Sequence, residues 1–102
     1  MSIAQQTITT AGSTLYTSTG GSAITAMFLM NNHSGTVVIQ LHVVKSGDSI
    51  AATNKIIKDL SIAAGDTYVI DTEKLLLDNG DSVRATADVD SVVNVTTSYI
   101  GV

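Results

Sequence analysis

Apolar and polar residues alternate with a period of two through most of this chain, and no stretch carries the 3.6-residue period of an amphipathic helix. Such alternation sends successive side chains to opposite faces of an extended backbone, so it demands strands paired into sheets. Val, Ile and Thr recur throughout, and turns containing Gly break the pattern at short intervals. Thr7 and Ile8 sit in a first strand and Leu15 and Tyr16 in a second, separated by Ala11-Gly12-Ser13. Gly20-Gly21 opens a long strand from Ala23 to Asn31. Asn32-His33-Ser34-Gly35 then leads into a strand from Thr36 to Val44, and the two strands read as a hairpin.

Ser46 to Asn54 is the longest loop. In Lys55 to Ile62, Ile56 and Ile57 adjoin whereas Leu60 and Ile62 alternate, a phase shift that a β-bulge would produce. The turns Ala64-Gly65-Asp66 and Asn79-Gly80-Asp81 frame Thr67 to Asp71, Leu75 to Leu77 and Val83 to Ala85. Asp88 to Ser91 turns the chain into a last strand, Val92 to Val102. About eight short strands with no linker between them predict one all-β domain, an antiparallel β-sandwich resembling a jelly roll.

Strict alternation divides the long strand into two faces, Ile24, Ala26, Phe28, Met30 and Thr25, Met27, Leu29, Asn31. Phe28 is expected in the core, together with Ile39 and Leu41 of the next strand. Their opposite faces are not polar, as a free sandwich strand would require. Met27 and Leu29 lie behind Phe28 and Met30, and Val38 and Val44 lie behind Ile39 and Leu41. These four residues are the candidate subunit interface, because an uncovered apolar face marks an interaction site.

Charge favours the same expectation. Only 14% of the 102 residues are charged, against roughly 25% in an average soluble domain. The polar remainder is supplied mostly by 14 Thr and 11 Ser. A neutral surface protects poorly against association, and a chain without proline lacks one of the usual guards on strand edges. A homo-oligomer of three or six copies is expected. With a net charge of −4 and five scattered Lys and Arg, the chain has no basic stripe for nucleic acid. Its longest apolar run, Ala26 to Met30, is far short of the ~20 residues of a membrane helix, so no membrane is expected as partner. Met1 to Gln6 does not read as a signal peptide, which implies synthesis in a cytoplasm.

Motifs for chemistry are lacking. Cysteine is absent, His33 and His42 show no metal-ligand spacing, and neither a phosphate-binding loop nor a nucleophile elbow occurs. Of the carboxylates Asp66, Asp71, Glu73, Asp78, Asp81, Asp88 and Asp90, the Asp88-Val89-Asp90 pair comes nearest to a calcium site. A full site needs six to eight oxygens, and turn chemistry explains Asp beside Gly equally well. No enzyme, cofactor or metal is expected. Tyr16 and Tyr68 are the only aromatics that could form a saccharide platform.

Several segments, taken in order, resemble a known family. They are Ser13-Thr14-Leu15-Tyr16-Thr17, Met30-Asn31-Asn32-His33, Ala63-Ala64-Gly65-Asp66-Thr67, Lys74 to Asp81, and Val95-Thr96-Thr97-Ser98-Tyr99-Ile100. The chain is similar to small β-sandwich virion proteins of tailed bacteriophages, particularly phages of cyanobacteria. That resemblance implies a non-enzymatic virion subunit assembled in the host cytoplasm on other virion structural proteins. It would serve in capsid decoration or, alternatively, at the neck, tail or fibre base. The competing expectation is a module that binds a host saccharide.

Overall fold

A computed structural model describes residues 2–70 and 75–101. Among these residues nine strands are formed: β1 (Ser2–Ile8), β2 (Ser13–Thr17), β3 (Ser22–Asn31), β4 (Val37–Val44), β5 (Lys55–Ile62), β6 (Thr67–Ile70), β7 (Leu75–Leu77), β8 (Ser82–Ala87) and β9 (Val93–Gly101). Among the described residues the only helical piece is a 3₁₀ turn, Ala52–Asn54. One sheet has the order β1-β9-β3-β6, with β7 also paired to β3, and the other has the order β2-β8-β4-β5. All pairings are antiparallel. This is the expected β-sandwich.

The winding follows from the pairs. β4 pairs with β5, β3 with β6 and β7, β2 with β8, and β1 with β9. The chain is thus one long antiparallel hairpin, rolled so that alternate strand pairs fall in opposite sheets, which is a jelly roll. β6 and β7 pair with different parts of β3, and together they occupy one strand position beside it. Counted so, eight strand positions remain.

Two expectations about local structure change. β3 and β4 lie in different sheets, so they do not form a hairpin. Asn31 explains the crossing. Its side chain is fully buried and its Nδ2 donates to the carbonyls of Gly35, Ile62 and Ala63 at 2.9, 2.9 and 3.2 Å. Its Oδ1 accepts the His33 amide at 2.8 Å. The residues after β3 are therefore tied to the end of β5 and turned across the sandwich. The true hairpin is β4–β5, closed by the Lys45-to-Asn54 connection.

The second change concerns the core. The register of β3 against β9 slips between Ile24 and Ala26, where Thr25 is the extra residue. A one-residue slip exchanges the two faces of everything beyond it. Ile24 points inward before the bulge, and Met27 and Leu29 point inward after it, all three almost fully buried. Phe28 is turned outward and is 43% exposed, with Met30 beside it. Ile39 and Leu41 are core residues as expected, packed with Leu15, Val37, Val83, Ala85, Val93 and Val95.

The bulge expected in β5 is present. Lys58 and Asp59 stand opposite the single residue Gln40, because Ile39 pairs with Leu60 and Leu41 with Ile57. Asp59 takes a left-handed φ of 55° there. Gln40 clips it in place, accepting the Asp59 amide at 3.0 Å and donating to its carboxylate at 2.6 Å.

Candidate functional site

The four residues of the expected interface do not form one surface. Met27 and Leu29 are core, because the Thr25 bulge turned them inward. Val44 is also fully buried, but outside the core cluster, on the outer face of the four-stranded sheet. Only Val38, on that same outer face, keeps part of its surface exposed.

His42 shows how Val44 is covered. It neighbours Val44 on the outer face and is 3% exposed. Its Nδ1 lies 2.7 Å from Asn54 Oδ1 and 3.1 Å from the Ala51 carbonyl. The Asn54 amide is oriented by donating to the Ser49 carbonyl and accepting the Ala51 amide. Both groups facing Nδ1 are therefore acceptors, which assigns the proton of the neutral ring to Nδ1. The Lys45-to-Asn54 connection folds back over the sheet and reaches as far as Gly12, where a Cβ would meet Ile50 Cδ1 at 3.0 Å. His42, Val44 and Ser82 are buried on this outer face. The histidine is a loop anchor. His33 lies in the turn after β3, half-buried.

The carboxylates hold backbone. Asp88 Oδ1 accepts the Val38 amide at 2.8 Å and Asp90 Oδ1 the Thr10 amide at 2.9 Å. Asp81 accepts from the Ser46 and Asp78 amides, joining two loops at one end of the sandwich. Gly80 is required in that junction, since its φ is +88° and a Cβ would lie 2.6 Å from Ser46 Oγ. Asp71 and Glu73 lie outside the described residues. Among those described, no group of three or more His, Asp or Glu converges on a point.

Tyr16 and Tyr68 are not neighbours on one face, as Tyr16 is in the four-stranded sheet and Tyr68 in the other. The Tyr16 ring stacks on Tyr99 with centroids 4.1 Å apart, and its hydroxyl is 2.6 Å from Ser22 Oγ. It ties the two sheets together. Of the two, only Tyr68 is exposed.

What composes a surface instead is the outer face of the five-stranded sheet. None of its five strands contains Asp, Glu, Lys or Arg. Ile3, Phe28, Met30, Val69, Leu76 and Ile100 are all exposed, and the strand registers put all six on this face. Gln5, Thr96, Phe28 and Val69 form one row across it; Thr7, Asn94, Met30 and Thr67 form the next. Ala23 lies between Ile100 and Leu76 in a third row. Neutral amides and hydroxyls predominate in the β1–β9 half, where Ile3 and Ile100 are the apolar exceptions, and apolar side chains predominate in the β3–β6–β7 half. The pattern was missed in the sequence because it depends on the Thr25 bulge. Freedom from charge would not have singled out these strands either, since β2 and β4 of the other sheet also lack Asp, Glu, Lys and Arg.

No protein-family model matches the chain, and neither a curated protein nor a solved structure matches it. The fold and this face are the grounds for a functional reading.

Proposed function

We propose that this chain is a non-enzymatic structural subunit that works by symmetric self-association and by docking on other structural proteins of a tailed-phage virion, with capsid decoration as its first role. The supporting observation is the outer face of the five-stranded sheet. Its five described strands carry no charged side chain, and its exposed apolar side chains make it costly to leave in water. The polar side chains characterised above act as braces for the fold: His42 anchors a loop, Asp81, Asp88 and Asp90 hold backbone amides, and Tyr16 ties the sheets. The virion setting is supported by the resemblance in the order of turn and strand segments. A neck or tail position would use the same surface.

Light scattering behind size exclusion tests the self-association, which requires a multiple of the 10.6 kDa chain. A chain that stays monomeric at high concentration would overturn it. Mass spectrometry of purified particles of the phage encoding the chain tests the setting, and its absence from them would remove that part.

A further inference from the structure

Resting on the self-association proposed above, we infer that the occupant of this face is a second copy of the same chain, packed sheet against sheet across a two-fold axis with Phe28 inside the contact.

Three observations lead to that occupant. The first is charge. The chain carries −4 overall, so two copies repel unless they meet where neither presents charge. The five strands without Asp, Glu, Lys or Arg provide such a surface. On the other sheet, Arg84 lies on the outer face, and β5 carries Lys55, Lys58 and Asp59. A strongly charged partner would leave its own groups desolvated against the neutral sheet without a counter-charge.

The second is area. At ~3.3 Å per residue along β3 and ~4.8 Å between strands, the face measures about 650 Å² in projection. Side-chain relief brings it near the ~800 Å² per partner of a standard stable interface. Its layout also matches such interfaces, with an apolar region around Phe28, Met30 and Val69 and neutral hydrogen-bonding groups alongside.

The third is number. Among the described residues there is one such face per chain. A self-complementary patch used once generates a two-fold pair, whereas a ring of three needs two different patches on each subunit. The unit formed through this face is therefore a dimer, in place of the three or six copies expected from sequence.

Phe28→Lys and Leu76→Lys are suitable probes, because both side chains are exposed in the single chain at 43% and 77%. Ile56→Lys, exposed at 49% on β5, serves as the control. Wild type and control are expected at twice the chain mass by light scattering and sedimentation. Phe28→Lys should weaken the dimer by roughly thirtyfold or more while its far-UV circular dichroism stays that of the wild type. Thr96→Arg, in the same row, is the second variant should Phe28→Lys not fold, with the same loss expected. A wild-type mass of three or more chains overturns the two-fold inference, as does a dimer that survives Phe28→Lys, Thr96→Arg and Leu76→Lys; in both cases self-association itself would stand. A monomeric wild type overturns both.

Discussion

On the four-stranded sheet, the Lys45-to-Asn54 connection folds back across the outer face and holds His42, beside which Val44 and Ser82 are also buried. On the five-stranded sheet, Phe28, Val69 and Leu76 stand in solvent. Both faces carry apolar side chains, yet among the described residues only the first is covered by the chain's own backbone. Connection length accounts for the difference, because the β4–β5 connection is the longest among the described residues and the others are short turns. A tight turn satisfies its own hydrogen bonds at the sheet end and cannot reach across a face. An apolar face beside a long loop is therefore weak grounds for an interface. One bordered only by tight turns is much stronger.

The comparison of faces can be broken most forcefully inside the sandwich. Leu29→Ala should cost about 2–5 kcal/mol in urea unfolding, as a core truncation does. A cost near zero would place Leu29 on the wrong side of the Thr25 bulge. Asn31→Ala should follow at about 2–3 kcal/mol, since it strands the carbonyls of Gly35, Ile62 and Ala63 that the Asn31 amide satisfies.

His42→Ala sharpens the contrast between the two outer faces. It should cost about 1–2 kcal/mol and accelerate amide exchange at Ala51 and Asn54, where the connection is held. Exchange unchanged from wild type would mean that the loop does not depend on the histidine. Phe28→Ala, one residue from Leu29, should cost less than about 1 kcal/mol when measured at dilutions where the chain is monomeric. Thr97 tests the smallest effect. Its side chain is buried facing the core and Oγ1 has no hydrogen-bond partner, so Thr97→Val should be neutral or add up to about 1 kcal/mol.

Much of this was legible in the sequence. The alternation and Gly turns specify an antiparallel sandwich, and the adjacent Ile56 and Ile57 announce the bulge in β5. Ile39 and Leu41 belong to the core because β4 keeps an unbroken register against β8 over Ile39 to Val44. In β3 the same rule failed. Ala23 to Asn31 is apolar enough on both faces that nothing in it betrays the extra residue at Thr25, and a one-residue slip then exchanged Phe28 for Met27.

By itself, the sequence determined the fold class, the scarcity of charge and the lack of any chemical motif, because each depends on residue type and local spacing. Only the tertiary structure decided which apolar face is inside, and it did so through the bulge in the pairing of β3 with β9. It also decided that Asn31 turns β3 away from β4 and that the β4–β5 connection covers one sheet. All three depend on hydrogen bonds between residues distant in sequence, and a period-two pattern holds no record of them.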